Sequence, residues 1–222
     1  MNNSVSNTAR LLGAGLRALL ALTLVTGVLY PLAVTGVAQG LFPDEANGSE
    51  VTADGRVVGS SLIGQAYDLP PEEGRETPAR DLRWFQGRPR NGLGVNSVNT
   101  RYELLLSGAT NRAGDDAELL RWVREAKAAV VEDNSTDTYR VEPSQVPADA
   151  VTSSGSGLDP HISPQYADLQ VHRVAERNGL STARVRALVD EHTEGRTLGF
   201  LGEPRVNVLR LNTALRDLTA KS

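Results

Sequence analysis

The stretch 18-ALLALTLVTGVLYPLAVTGVA-38 decides the fold class, because it runs for 21 residues without a charged side chain. As an α-helix it would be about 31 Å long, which matches the hydrocarbon core of a bilayer. A cleaved signal peptide, the main alternative, has an apolar region of only about 7 to 15 residues. A soluble core helix would carry polar residues at regular intervals. The sequence therefore predicts a retained transmembrane helix over residues 18–39.

The charges that flank this helix predict its orientation. Segment 1–17 carries two arginines and no acid, whereas the first charges after the helix are Asp44 and Glu45. Positively charged flanks stay on the cytoplasmic side of a membrane. We therefore expect a single-pass protein of the cell membrane, with segment 1–17 in the cytoplasm and a soluble domain, 41–222, outside.

Composition excludes several classes of site. The chain has no cysteine, three histidines without the spacing of metal ligands, and 23 basic against 27 acidic residues without a long run of either sign. Disulfides, thiolate metal sites and cysteine nucleophiles are therefore ruled out. A protein-built metal site is not expected, and neither is nucleic acid as a partner.

Small and kink-forming residues recur every four positions along the predicted membrane helix. They are Thr23, Gly27, Pro31 and Thr35. Such a stripe lets a second helix approach closely in lipid, where packing drives association. Chance is the alternative, because glycine and proline are common in membrane helices. Pro31 should also kink the helix or loosen it locally.

The remainder reads as one mixed domain, so the predicted fold class is α+β with a single N-terminal transmembrane helix. Asp54-Gly55 predicts a hairpin turn, and an amphipathic helix should run from a cap at Asp115 or Asp116 to about residue 132. In the C-terminal third, the sequence predicts a helix from Ser163-Pro164 to Asn178-Gly179 and a second helix from Ser181 to Gly195, with His192 on its apolar side. A strand over 205–212 and a last helix over 212–220 should follow.

The stretch 151-VTSSGSGLDPHISP-164 allows three interpretations. A hydrolase would use Ser156, Asp159 and His161, but three triad members rarely converge from one short loop. A phosphate cradle would use the glycine-serine segment Ser153, Ser154, Gly155, Ser156 and Gly157, although no Lys of a Walker A motif follows. A capping loop, in which Asp159 and Ser163 bond backbone amides, is the interpretation that we favour from the residues alone.

The same residues carry a family resemblance. The two longest segments that carry it are 149-DAVTSSGSGLDPHISPQYADLQVHRVAERNGLS-181 and 201-LGEPRVNVLRLNTALRDL-218. With TGVLYPLAVTGVAQ, GSSLIGQ, FQGRPR and SGATN earlier in the chain, they resemble the C subunit of the Kdp-type potassium-transporting ATPases. The sequence departs from that family at Arg90, where serine is usual, and in a longer loop over 90–111.

This resemblance implies a non-catalytic accessory subunit that aids assembly and acts as a catalytic chaperone, raising the affinity of the P-type ATPase subunit for ATP. The implied partners are that subunit, a channel-like potassium-binding subunit, a small membrane peptide and membrane lipid. No intrinsic cofactor is implied; ATP acts through the catalytic subunit, and potassium is transported by the complex. The chain contains no D-K-T-G-T phosphorylation motif.

Two questions stay open from the sequence. A nucleotide role points to residues 153–157, whereas the charge flanks place that loop outside the cell, away from ATP. A membrane-anchored extracellular hydrolase using the 153–161 loop is the alternative function.

Overall fold

The computed structural model describes residues 2–70, 72, 78–95 and 105–220. The chain divides into two units, Met1–Glu50 and Val51–Ser222. The first unit is helical, and the second combines helices with small antiparallel sheets. The α+β class with one long apolar N-terminal helix is therefore confirmed.

The first unit is a long helix followed by a short one. It consists of α1 (Asn2–Leu24), a π-helical turn (Val25–Leu29), α2 (Tyr30–Leu41) and α3 (Pro43–Ala46). The part from Val5 to Leu41 is long and apolar enough to cross a membrane. Helical structure thus begins well before residue 18, because the segment ahead of it contains no proline to stop it.

The π-helical turn confirms the predicted loosening ahead of Pro31. The amide of Tyr30 donates to the carbonyl of Val25, five residues back. Proline has no amide hydrogen and its ring crowds the carbonyl four residues earlier, which is that of Gly27. A wider turn containing Gly27 relieves this crowding, and the helix continues to Leu41.

The described residues of the second unit form short strands and four helices. Its strands are β1 (Glu50–Ala53), β2 (Arg56–Ser60), β3 (Gly94–Val95), β4 (Leu105–Leu106), β5 (His161–Ile162), β6 (Thr193–Glu194) and β7 (Arg205–Asn207). Its helices are α4 (Ala117–Asn134), α5 (Pro164–Arg177), α6 (Thr182–Glu191) and α7 (Val208–Ala220), with 3₁₀ turns at Pro143–Gln145 and Ala148–Ala150. Asp54 and Gly55 both have positive φ, as a two-residue hairpin turn requires, so that predicted turn is confirmed.

Helix α5 lies at the centre of the core. Its residues Ala167, Val171 and Val174 have no exposed surface and pack with buried residues from α4, α6 and α7. The three-stranded antiparallel sheet has the order β5-β7-β6 and pairs His161 with Asn207. This sheet fixes the start of α5 beside the start of α7.

Two predicted boundaries are wrong. The strand expected over 205–212 stops at Asn207, whose side chain accepts a hydrogen bond from the Arg210 amide and so starts α7 at Val208. The helix expected to reach Gly195 ends at Glu191 with His192 as its C-cap. The next two residues pair with β7 instead, because that pairing satisfies their backbone groups within a sheet.

Candidate functional site

The glycine-serine segment closes on itself through its own hydrogen bonds. The hydroxyl of Ser154 accepts from the Asp159 amide at 3.4 Å, and that of Ser156 accepts from the Leu158 amide at 3.1 Å. The Gly157 amide donates to the Ser154 carbonyl at 3.2 Å. These bonds occupy three successive amides that an anion would otherwise use.

The two glycines of this segment have different surroundings. Gly157 is buried with φ of 69°, and a Cβ there would lie 2.7 Å from Leu93 Cδ2. Gly155 is exposed and has no atom within 4 Å of the position of a Cβ. Gly157 is therefore required by packing and backbone conformation, whereas Gly155 stands open to solvent.

Arg88 binds the backbone at the start of the segment and the side chain of Asp159 that follows it. Its Nε donates to the Thr152 carbonyl at 3.2 Å and its Nη2 to the Ser153 carbonyl at 3.3 Å. Its Nη1 forms an ion pair with Asp159 at 3.3 Å. The guanidinium is thus already engaged by three oxygens of the protein itself.

Asp159 is the acceptor at the centre of this cluster. Its Oδ1 accepts from the His161 amide at 3.0 Å and lies 3.3 Å from His161 Nδ1. Hydrogen bonding to His161 lowers the pKa of Asp159, and the positive charge of Arg88 adds to the effect. The carboxylate holds the turn in its ionised form.

The hydrolase arrangement is not assembled. His161 and Asp159 are paired, but the hydroxyl of Ser156 bonds to the Leu158 amide and to Ser154 Oγ at 3.3 Å. Among the described residues, no hydrogen bond joins Ser156 to His161. A serine nucleophile needs that contact with its base.

Ser163 caps α5 and is itself held by Asp149. Its Oγ accepts from the Tyr166 amide at 3.1 Å and donates to Asp149 Oδ1 at 2.9 Å. Asp149 Oδ2 accepts from the Ser163 amide at 2.7 Å. Sequence reasoning missed Asp149, which lies 14 residues earlier in a 3₁₀ turn and carries no local signal of this role.

A strap of irregular chain, residues 82–86, positions Arg88. Side chains of helices α5 and α7 bind its backbone. Arg173 donates hydrogen bonds to the carbonyls of Leu82 and Trp84. Gln170 forms two hydrogen bonds with the backbone of Gln86, and Asn212 forms two with the backbone of Phe85. All three side chains are buried, and burial lowers the pKa of Arg173 to about 10. These residues were also missed, although polar residues on the apolar face of α5 were the visible signal.

The predicted partner stripe lies wholly in the first unit. Thr23 is in α1, Gly27 in the π-helical turn, and Pro31 and Thr35 in α2. A Cβ on Gly27 would have Thr23 Cγ2 as its neighbour, at 3.8 Å. The stripe is therefore open to an approaching helix.

In the described part of the chain, no cluster of three or more His, Cys, Asp or Glu side chains could hold a metal ion. A concavity of about 860 Å³ lies between α4 and residues 135–143, and residues 153–157 are not part of its lining. Sequence reasoning did not predict it.

Comparison with known proteins places the chain among transport subunits. It matches the family model described as "KdpC: K+-transporting ATPase, c chain" over residues 12–217. It is similar to the potassium-transporting ATPase KdpC subunit of Streptomyces avermitilis, with 75% identity over the whole of both chains. The corresponding subunits of Streptomyces coelicolor (74% identity, 99% of this chain and 98% of the other) and Gemmatimonas aurantiaca (46%, 91% and 90%) are also similar.

Proposed function

The chain belongs to the family of KdpC subunits of potassium-transporting ATPases, and from this premise we propose that it is a non-catalytic accessory subunit of an ATP-driven potassium importer. Its proposed partners are a channel-like potassium-binding subunit, a P-type ATPase subunit and a small membrane peptide. The observation that carries the proposal is the match across the whole chain, which includes both the membrane helix and the domain.

The membrane helix is the proposed partner surface. In an unbroken α-helix, Thr23 and Thr35 would be rotated by about 120° from one another, since twelve residues turn about 100° each. The π-helical turn takes up one extra residue, so the offset falls to about 20°. The turn at Val25–Leu29 therefore favours a single continuous stripe.

The charge flanks support a cytoplasmic N-terminus and an external domain. In that orientation the domain has no access to ATP, so the proposed rise in ATP affinity of the ATPase subunit would be transmitted through the membrane helix or the channel-like subunit. The self-closed glycine-serine segment supports this route, because its amides and Arg88 are occupied by protein groups.

Co-purification tests the proposal. The tagged full chain, expressed with the other subunits, should recover both large membrane subunits, and omitting it should reduce their recovery as a complex and weaken ATP use at low ATP. A chain that purifies alone and turns over an ester or peptide would contradict the proposal and support the hydrolase.

Topology and nucleotide binding need separate tests. Protease added to intact spheroplasts should digest the domain, and its protection would contradict the proposed orientation. Millimolar ATP should leave the melting temperature of the full chain in detergent unchanged. An ATP-dependent shift that disappears in Gly155→Val, an open position where the fold tolerates a side chain, would assign nucleotide binding to the loop.

A further inference from the structure

Helix α4 carries two exposed charges of opposite sign that cannot pair with each other. They are Arg124 and Glu132, eight residues apart. Side chains on a helix meet at a spacing of three or four residues, and eight residues separate these two by about 12 Å along the axis. Neither residue has an opposite charge three or four positions away along α4. The helix itself therefore offers no partner to either charge.

Other charges on the same helix are paired. Arg121 lies 3.6 Å from Glu125 and 3.7 Å from Glu118. Within the part of the chain that the structure describes, Arg124 and Glu132 form no ion pair. Both side chains are thus available to groups outside the described chain.

Ala128 lies midway between the two charges and is also exposed. Four residues of helix place Arg124 and Glu132 about 6 Å to either side of it along the axis and rotate each by about 40°. The methyl group at the centre allows another helix to approach closely. All three residues also border the concavity between α4 and residues 135–143, so the space beside this face is open.

A second copy of α4 complements this pattern when it runs in the opposite direction. A two-fold axis beside Ala128, at right angles to the helix, places each position before residue 128 level with the position equally far after it on the other copy. Arg124 of each copy then lies level with Glu132 of the other, and two ion pairs form. Parallel helices would instead bring like charges together, which is unfavourable.

We propose that this face of α4, formed by Arg124, Ala128 and Glu132, binds the same face of a second copy of the chain in antiparallel orientation. The occupant is chosen by charge complementarity: a matching surface needs an acid and a base about 12 Å apart in reversed order, and the chain supplies one itself. Exposed ion pairs and a single helix face give a weak, salt-sensitive contact. The proposal does not depend on the transport role or on another subunit.

Cysteine cross-linking gives a direct test, because the chain contains no cysteine. At a close helix crossing, with axes about 8 to 10 Å apart, Cα atoms that face each other across the two-fold axis lie about 5 Å apart. A disulfide spans that distance. The full chain with Ala128→Cys, in detergent, should therefore form a disulfide dimer under mild oxidation severalfold faster than with Ala183→Cys, an exposed alanine on α6.

Charge reversal separates the proposed contact from random collision. In the Ala128→Cys background, Arg124→Glu alone and Glu132→Arg alone should each slow dimer formation severalfold, and the two together should restore it. Arg177→Glu, at an exposed position on α5, makes the same charge change as Arg124→Glu and should have little effect. Equal rates for Ala128→Cys and Ala183→Cys would overturn the proposal. Failure of the double reversal to restore the rate would also overturn it.

Discussion

The glycines of the membrane helix and the closely packed glycines of the domain have opposite surroundings. On the helix, Gly36 has no atom within 4 Å of the position of a Cβ, and Gly27 has one, Thr23 Cγ2, at 3.8 Å. In the domain, a Cβ on Gly64 would lie 2.6 Å from the Asp159 carbonyl oxygen, and one on Gly157 would lie 2.7 Å from Leu93. Glycine leaves space on the helix, whereas at Gly64 and Gly157 the domain fills that space with its own atoms.

Polar and apolar residues show the same contrast. No residue of α2 or of the π-helical turn is buried, although both are apolar. The domain instead buries Arg173, Gln170 and Asn212 and satisfies them with the backbone of the 82–86 strap. The apolar surface of the helix is therefore exposed, whereas the domain satisfies these three buried polar side chains with its own backbone. Substitutions in the domain should therefore lower its stability, whereas substitutions on the helix should lower the recovery of partner subunits.

The largest effect should come from Arg173→Ala. Removing the guanidinium leaves the carbonyls of Leu82 and Trp84 and the side chain of Asn134 without their donor in the interior. We expect a loss of about 3 to 5 kcal/mol in unfolding free energy, measured by urea denaturation of the full chain in detergent. Arg124→Ala, on the exposed surface of α4, is the control and should stay within about 0.5 kcal/mol of wild type. A stable Arg173→Ala domain would remove the basis of the contrast.

Gly157→Val should be the next most damaging change. It places a β-branched residue at positive φ and drives its Cβ against Leu93, for a cost of about 2 to 4 kcal/mol. Gly155→Val, two residues away in open space, should change the melting temperature little. Similar melting temperatures for the two variants would show that the segment rearranges freely and is not a fixed clamp.

Gly27→Leu should leave the domain intact and weaken the complex. A leucine on the stripe blocks close helix approach, and about 1 to 2 kcal/mol of packing should be lost. The measurement is recovery of the partner subunits in a tag pull-down, with Leu24→Ile as control. If both variants recover the partners equally, the stripe is not the contact surface.

The contrast between the units also explains what the sequence could predict. The membrane helix and the hairpin turn were predictable because an uncharged run and an Asp-Gly pair are local signals. The same holds for the Asp116 cap, which accepts from the amides of Glu118 and Leu119. The beginning of α7 was not predictable, because the apolar residues of 206–211 suit either a strand or a helix. The helix begins there because the side chain of Asn207 accepts a hydrogen bond from the Arg210 amide.

The clamp on the glycine-serine segment could not be predicted, because its parts are distant in sequence. Arg88 meets Thr152 across 64 residues, and Gln86 meets Gln170 across 84. Spacing rules describe neighbours on one helix or strand and contain no information on such pairs. The composition of the loop identified its residues, but it did not identify Arg88, which donates to the carbonyls of Thr152 and Ser153.

Ser163→Ala should have a smaller effect. It removes the acceptor for the Tyr166 amide at the start of α5 and one of the two bonds to Asp149, and caps of this kind contribute about 1 kcal/mol. Thermal unfolding of the full chain should show the loss. Ser163→Asp keeps a cap acceptor but places two carboxylates together, so recovery of wild-type stability in that variant would contradict the paired arrangement with Asp149.

The smallest effect should be the pH dependence contributed by Asp159. Hydrogen bonding to His161 and the charge of Arg88 lower the pKa of this carboxyl in the folded state. A depressed pKa stabilises the fold above the unfolded value of about 3.9, and the contribution is lost as the pH falls through the folded value. Asp159→Asn should therefore be less stable than wild type at pH 7, by less than about 1 kcal/mol because the pair is partly exposed. The difference should shrink below about pH 4, as followed by urea denaturation across that range, with the same substitution at exposed Asp137 to correct for the loss of one charge. A difference that stays constant down to the acid limit would show that Asp159 holds the loop by shape alone, and that the ion pair with Arg88 adds nothing to the clamp.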